Sequence, residues 1–319
     1  MTSPIITERS VVGMFFERLQ QNTASGFVDA IATVPFESDQ DSEDYGWLGM
    51  VPQMSQKAGE KKFSQLRDVD WTVRNVEYQA GIALPKKHIL YDKTTQVQTR
   101  VNELADRTNA HWWSLIAPLI IAGESAVCYD GQYFFDTDHS EGISGSQSND
   151  ITHDVTTTTN PTATEMIDAI LEGVESIIGF KDDRGEPVNE GMSEFVILTG
   201  TGLLKSGLKA LSQTNVSNGE SNILIEQGSF KFRVVASPRI TWTDRFALFC
   251  TQGTQKPIIR QQRVPNNPAP GYNMDGLLLE MLWTDSEHCK KHDECLVSVE
   301  TERAAAYGDW KKACLVTLI

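Results

Sequence analysis

The longest periodic segment of the chain, residues 94–123, sets the strongest limit on how this sequence can fold. Its apolar residues recur at intervals of three and four, which predicts one amphipathic helix with the stripe Val97, Val101, Leu104, Ala105, Trp112, Ile116, Leu119 and Ile120. Gly123 is suited to end this helix, and Pro118 is expected to kink it. At a rise of about 1.5 Å per residue the helix would be about 40 Å long. We therefore expect it to cross a whole domain.

The sequence before this helix predicts an arm and a ribbon. Residues 7–21 have helical spacing, with Thr7 or Ser10 available as the cap, and a polar, extended stretch follows them. In residues 45–90, two alternating stretches flank a middle part that carries glycine and lysine, which predicts a long two-stranded ribbon. Because a lone hairpin is marginally stable in water, we expect the ribbon to lean on another subunit or domain.

The sequence after the helix predicts a mixed α+β block. A long polar loop, residues 141–162, leads to a capping box formed by Thr162 and Glu165, which opens another helix. Strands are predicted at 195–200, 229–237 and 245–251, and a helix at 202–211. The segments "CLVSVETER" and "KKACLVTLI" are predicted to pair with each other, with the chain end inside a sheet.

Charge and composition exclude several classes of protein. The chain has 43 acidic and 28 basic residues and a formal charge of -15, which repels nucleic acid and argues against sequence-reading DNA binding. The longest apolar stretch, "WWSLIAPLIIA", is too short to span a bilayer, and the first residues lack the regions of a signal peptide. We expect a product of the cytoplasm whose five scattered cysteines are free thiols.

The segment "AVCYDGQYFFDTDHSEG", residues 126–142, is the first candidate for chemistry. Asp136, Asp138 and His139 are ligand types for a divalent metal, and Cys128 and Asp130 stand just upstream. A metal hydrolase would need further ligands elsewhere, which the sequence does not supply at helical or strand spacing. The other interpretation is a structural turn, in which an aspartate satisfies backbone donors and Phe134 and Phe135 fill the core.

The segment "HCKKHDEC", residues 288–295, is the second candidate. His288, Cys289, His292 and Cys295 could bind zinc, but four ligands within eight residues would strain a tetrahedral shell. The alternative is an exposed, charged connection with two unpaired thiols. The sequence has no G-x-S-x-G elbow, and "GTGLLKSG" lacks the order of a phosphate-binding loop. No catalytic constellation is predicted.

Two motifs resemble a known family. "YGWLG" at 45–49 and "CYDGQYFFDTDH" at 128–139 are similar to segments of the Mu-like phage major head subunit, the gpT-type capsid protein. The family typically has proline after the histidine of the second motif, where this chain has Ser140. The order of elements is also similar to that of the HK97-type capsid fold. This resemblance implies an N-terminal arm at 1–46, an extended hairpin (E-loop) at 47–88, and a spine helix with the first part of a P-domain at 89–150. It further implies an A-domain at 151–274, and a return to the P-domain with a closing strand pair at 275–319.

The resemblance implies a structural protein that assembles into hexamers, pentamers and an icosahedral phage head around double-stranded DNA. It implies no enzymatic activity, cofactor or membrane, and a place in the virion after synthesis in the host cytoplasm. Other copies of the chain would be its main partners, with scaffold, portal and decoration proteins as further candidates. The expected interface residues are Met14, Phe15, Leu19, Trp47, Leu48, Met50 and Trp71. For the two tryptophans the alternative is that they pair with each other across the ribbon. Alternatives for the whole chain are a metal-dependent hydrolase and an encapsulin-type shell.

Overall fold

The computed structural model describes residues 6–21, 27–46, 71–91, 95–214, 221–226, 228–265 and 276–319. In these ranges the α-helices are α1 Glu8–Gln21, α2 Val28–Ile31, α3 Lys86–Tyr91, α4 Gln96–Ile121, α5 Ala163–Gly179, α6 Leu204–Ser212, α7 Ile223–Glu226 and α8 Glu287–His292. The strands are β1 Phe36–Ser38, β2 Ser42–Asp44, β3 Thr72–Arg74, β4 Val76–Pro85, β5 Asp150–His153, β6 Glu194–Thr199, β7 Lys231–Ala236, β8 Arg245–Cys250, β9 Ile258–Arg263, β10 Leu277–Leu282, β11 Glu294–Tyr307 and β12 Ala313–Leu318. Short 3₁₀ turns follow α4 and precede β12.

Helix α4 confirms the predicted long helix and joins two separate hydrophobic cores. It continues through Pro118 and ends in the 3₁₀ turn that contains Gly123. Its first half contributes four buried residues to the smaller core: Val97, Val101, Leu104 and Ala105. Its second half contributes four to the larger core: Trp112, Ile116, Ala117 and Ile120. One helix therefore aligns both halves of the described chain.

The smaller core lies under the first sheet. In this sheet β11 pairs antiparallel with β4 along one edge and with β9 and β10 along the other, and β1 adds parallel to β9. Helices α1 and α4 pack together beside it, and Val11 and Phe15 of α1 are fully buried in this core. Thr7 and Ser10 cap α1 reciprocally, as each side-chain hydroxyl accepts the other residue's backbone N–H.

The second sheet has the strand order β5-β12-β8-β6-β7 and carries the larger core. Helix α5 packs against β12 and β8, and α6 packs against α5 and β7. The predicted capping box is present: the Thr162 hydroxyl accepts the Glu165 N–H, and the Glu165 carboxylate accepts the Thr162 N–H. Strand β12 lies between β5 and β8, as predicted for a final strand inside a sheet.

Two sequence predictions on strands are wrong, and a third is tested only in part. The two C-terminal segments do not pair as a closing strand pair, because β11 belongs to the first sheet and β12 to the second. The polar loop 141–162 contains β5, which adds parallel to β12. Of the predicted hairpin 47–88, residues 71–88 are described: β3 pairs with β2 at Ser42–Asp44, and β4 pairs with β11. Alternation of apolar residues shows which face of a strand is buried but does not identify its partner. Residues 47–70 of the hairpin lie outside the described ranges.

A polar layer separates the two cores at the middle of α4. Arg260 and Arg303 are both buried, and their guanidinium groups lie 5.5 and 4.7 Å from the centre of the Trp112 ring. Arg303 also donates hydrogen bonds to the Gln262 side chain and to the Thr108 carbonyl. Cation–π contacts of this kind strengthen when the groups are removed from water. The layer therefore fixes β9 and β11 against the centre of the helix.

Candidate functional site

The segment 126–139 folds as a tight turn that follows α4. Val127 and Tyr133 form an isolated antiparallel bridge, and the Cys128 N–H donates to the Gln132 carbonyl across the turn. Phe134 and Phe135 are fully buried beneath it. A Cβ atom at Gly123 would lie 2.5 Å from the Phe135 ring, so only glycine fits where the ring passes over the end of the helix. The turn is therefore built around its two phenylalanines.

The turn holds a buried cluster of Cys128, Asp130 and His139. The two carboxylate oxygens of Asp130 contact its neighbours separately: Oδ2 lies 2.6 Å from His139 Nδ1, and Oδ1 accepts the Cys128 thiol at 3.0 Å. The His139 ring is stacked on Trp310, with ring centres 3.9 Å apart and planes 7° from parallel. Among the described residues, this is the group whose side chains could meet on one metal ion.

The electrostatics of the cluster favour a fixed hydrogen-bond network over chemistry. Burial works against ionisation of Asp130, but the hydrogen bonds from His139 and Cys128 outweigh it and lower the pKa of the carboxyl group. Burial and the neighbouring Asp130 raise the pKa of the Cys128 thiol, which stays protonated at neutral pH. A protonated thiol is neither a good nucleophile nor a metal ligand. Since Asp130 already uses both oxygens, the three residues fit a metal poorly.

Asp136 and Asp138 do not join this cluster. Asp136 accepts the backbone N–H groups of Tyr133 and Thr137, as a residue that shapes a turn does. Asp138 is exposed, and its hydrogen bond with Asp136 together with that residue's charge raises the pKa of its carboxyl group. The predicted ligand set Asp136, Asp138 and His139 is therefore divided between a turn, the solvent and the buried cluster.

A buried ion pair ties this turn to the start of β12. The Lys311 ammonium group has no exposed surface and donates to Glu141 at 2.9 Å and to the Tyr129 hydroxyl at 3.0 Å. The adjacent Lys312 is also buried and donates to the Asn189 side chain at 2.6 Å. Sequence reasoning missed these contacts, although a charged pair directly before an apolar final strand was a visible signal.

The segment 288–295 is not a four-ligand site. Ser286 caps α8 through its hydroxyl, and Cys289 within this short helix forms a disulfide with Cys295 on β11. Both cysteines are buried, whereas His292 is exposed. The prediction of free thiols is wrong for this pair, because the turn at Asp293 brings the two side chains together. It holds for Cys128, Cys250 and Cys314.

The residues expected at subunit interfaces lie in different settings. Trp47, Leu48 and Met50 are outside the described ranges. Trp71 is half-buried against the larger core of its own chain. Met14, Phe15 and Leu19 lie on α1, where Phe15 is fully buried and Met14 and Leu19 pack partly against the smaller core. Within this chain, Phe15 therefore has no surface left for a neighbour.

Helix α1 is held to α4 by polar as well as apolar contacts. Arg18 donates two parallel hydrogen bonds to the Asp106 carboxylate, at 2.8 and 2.9 Å. Asn109 donates to the Leu19 carbonyl at 2.9 Å. Bidentate pairs of this kind are more specific in geometry than single contacts.

None of the described helices is long and apolar enough to cross a membrane.

Comparison of the sequence with known proteins finds similarity to one protein family and to two relatives. Residues 9–161 match the family of the Mu-like prophage major head subunit gpT. The chain is 29% identical over 143 residues to the Mu-like prophage FluMu major head subunit of Haemophilus influenzae, a match that covers 43% of this chain and 46% of that protein. It is 26% identical over 98 residues to the major capsid protein of Escherichia phage Mu, covering 31% of this chain and 32% of that protein. These alignments thus span less than half the length of either curated relative.

Solved structures match over nearly the whole chain. The procapsid subunit of bacteriophage JBD30 is 18% identical, with a TM-score of 0.54, and the match covers 98% of this chain and 76% of that one. The virus-like particle subunit of Pyrococcus furiosus is 8% identical, with a TM-score of 0.52, and the match covers 97% and 98%. These identities establish the fold alone. Residues 9–161 are thus similar to the Mu-like prophage major head subunit gpT family, and the chain has the α+β fold of HK97-type phage capsid proteins.

Proposed function

We propose that this chain is the major capsid protein of a phage or prophage, and that it assembles into an icosahedral head around double-stranded DNA. The observation that carries the proposal is the family match over residues 9–161 within a capsid fold that extends over nearly all of the chain. The turn at 126–139, which invited a metal or acid/base interpretation, has a structural role in this proposal. We expect no enzymatic activity.

The surface and charge of the chain are consistent with a shell subunit. Strands β2 and β3, on either side of residues 47–70, form three residue pairs, and a hairpin of this length is too short to be stable alone. The predicted E-loop would gain stability by lying on a neighbouring copy. The net charge of -15 lets an assembled shell enclose DNA without binding it tightly.

Other copies of this chain are the main partners in the proposal. Packaged DNA would be contacted without sequence specificity, and scaffold, portal and decoration proteins are candidate partners. The division into arm, E-loop at 47–88, spine helix, P-domain and A-domain belongs to the same proposal. The working location is the virion.

An encapsulin-type shell is the second candidate, because the Pyrococcus furiosus virus-like particle has the same fold over 97% of this chain. The sequence family favours the phage head, since the match over residues 9–161 is to a head subunit. Portal and terminase genes beside the gene for this chain would support the head, and a cargo gene in their place would support the compartment.

Electron microscopy of the purified chain in negative stain, with size-exclusion chromatography beside it, tests the proposal. We expect rings of five or six subunits or closed shells. A monomer or dimer that carries stoichiometric zinc or manganese would refute the capsid function and support the alternative of a metal-dependent hydrolase. In a second step, Trp47→Ala tests the predicted ribbon contact. Shells that form normally from this variant would remove Trp47 from the interface.

A further inference from the structure

Strand β4 presents a long edge that the described part of the chain leaves open. All ten residues of Val76–Pro85 pair with β11, in unbroken register from Pro85 opposite Glu294 to Val76 opposite Arg303. Among the described residues, no strand pairs with the other edge of β4. Apart from Leu84, every residue of the strand is exposed or half-buried. Alternate residues of an antiparallel strand direct their N–H and C=O groups to the same side, so about half of β4 offers backbone groups outward.

The composition of this edge favours pairing with another strand. Proteins block open edges with lysines, inward-pointing charges, prolines or bulges. Strand β4 has one charged residue, Glu77, and its one proline, Pro85, stands at the last position. Strand β7, an edge of the second sheet, differs in this respect because Lys231 and Arg233 are exposed along it. The edge strand β7 therefore carries charges that oppose pairing with another strand, whereas the longer edge of β4 carries few such features.

We propose that the open edge of β4 receives an extended strand from a second copy of this chain, which continues the first sheet across a subunit boundary. This inference rests on the proposed function, in which symmetry brings the same edge of every copy to an equivalent neighbour. The edge is also continuous with the ribbon, because β3 ends at Arg74 and β4 begins at Val76. Backbone pairing of this kind supplies affinity without requiring a particular side-chain sequence.

Residue-resolved hydrogen exchange of the unassembled subunit and of the shell tests the proposal. In the subunit, we expect every second amide of β4 to exchange fast, because only the others face β11. In the shell these fast amides should become slow, while the amides of β7 keep their rates. Equal β4 rates in both states, a gain spread over all β4 amides alike, or a gain in β7 as large as in β4 would each overturn strand addition at β4.

A matched pair of variants tests the same edge through assembly. Gln79→Lys places a charge on the edge, and Glu300 lies opposite this position on β11, so the subunit is expected to keep its fold. We expect the protein concentration needed for shells to rise about tenfold or more, which corresponds to about 1.4 kcal/mol per contact. Gln79→Thr, which is compatible with a strand and uncharged, should assemble as the unmodified chain does.

The outcomes distinguish this inference from the proposed function. If the unmodified chain forms no rings or shells under any condition, the capsid function itself fails. If shells form while the β4 amides stay fast and Gln79→Lys assembles normally, strand addition fails and the capsid function stands. Equal melting temperatures of the two unassembled variants show that any loss of assembly arises at the edge and not from unfolding.

Discussion

Replacement of Lys311 by methionine tests how strongly the turn at 126–139 depends on β12. The ammonium group of Lys311 lies 2.9 Å from Glu141, a residue 170 positions earlier, and 4.6 Å from the centre of the Trp310 ring. The lysine side chain is fully buried and the glutamate side chain is 10% exposed. Lys311→Met would therefore leave the Glu141 carboxylate buried with only the Tyr129 hydroxyl as a donor.

The expected loss is large compared with the stability of a domain. Removal of one partner from a buried ion pair costs about 3–5 kcal/mol, because the other charge is left without compensation. The free energy of unfolding of a domain is about 5–15 kcal/mol. Lys311→Met should therefore remove about a fifth or more of it. The double variant Lys311→Met with Glu141→Gln removes both charges of this ion pair, so it should regain about 2 kcal/mol relative to the sum of the single losses. Asp309, whose carboxylate lies 4.0 Å from the Lys311 ammonium group, keeps its place in both Lys311→Met variants.

Urea unfolding of the unassembled subunit, followed by tryptophan fluorescence, measures these differences. Lys231→Met is the matched control, since Lys231 also contacts a carboxylate at 2.8 Å but is exposed. Its unfolding midpoint should equal that of the unmodified chain. A loss below about 1 kcal/mol for Lys311→Met, or strictly additive losses in the double variant, would refute the argument that burial makes this pair essential.

Three further predictions concern other parts of the fold. Gly123→Ala should lower the free energy of unfolding by about 1–3 kcal/mol, because the new methyl group would overlap the Phe135 ring. Burial raises the pKa of Asp150 to about 6, so the folded state favours its protonated form. That contribution is complete below the ordinary pKa of 3.8 and disappears as the pH rises through about 6, and Asp150→Asn should remove this part of the pH dependence of the urea midpoint. Cys295→Ser opens the short loop closed by the disulfide with Cys289 and should cost about 2 kcal/mol under oxidising conditions.

Each of these predictions has an internal control. Gly13→Ala lies in α1, where an added Cβ meets nothing within 4 Å, and it should stabilise the chain by about 0.5–1 kcal/mol. A gain for Gly123→Ala would contradict the packing argument. A pH profile unchanged by Asp150→Asn would show that another group titrates in this range. Cys295→Ser and the unmodified chain should unfold at the same midpoint once a reductant is present.

The local elements could be predicted from the sequence because they depend on neighbouring residues. The capping box of Thr162 and Glu165 and the stripe of α4 are such features, and the structure contains both. Strand partners could not be predicted. The alternation of apolar residues in β11 predicts a strand, but it does not indicate that this strand pairs with β4. The family resemblance supplied the fold, which periodicity alone did not specify.

The candidate cluster was predicted only in part. His139 was singled out, but its partners are Cys128 and Asp130 and not Asp136 and Asp138. Asp130 lies against His139 because the tight turn at Gly131, whose φ is +90°, reverses the chain between these two residues. The burial of Lys311 depends on a contact over 170 residues, and no spacing rule reports a contact of that kind.

Because α4 contributes to two cores, it also fixes the distance and the rotation between them. Its buried stripe serves one core up to Ala105 and the other from Trp112 onward, so both share a single helical phase. Deletion of one residue between these positions would rotate everything beyond it by about 100° and turn one of the stripes toward solvent. Insertions of about seven or eleven residues would restore the phase, but they would move the two cores apart by about 10 or 16 Å. The length and phase of this segment are therefore expected to be inherited as one unit.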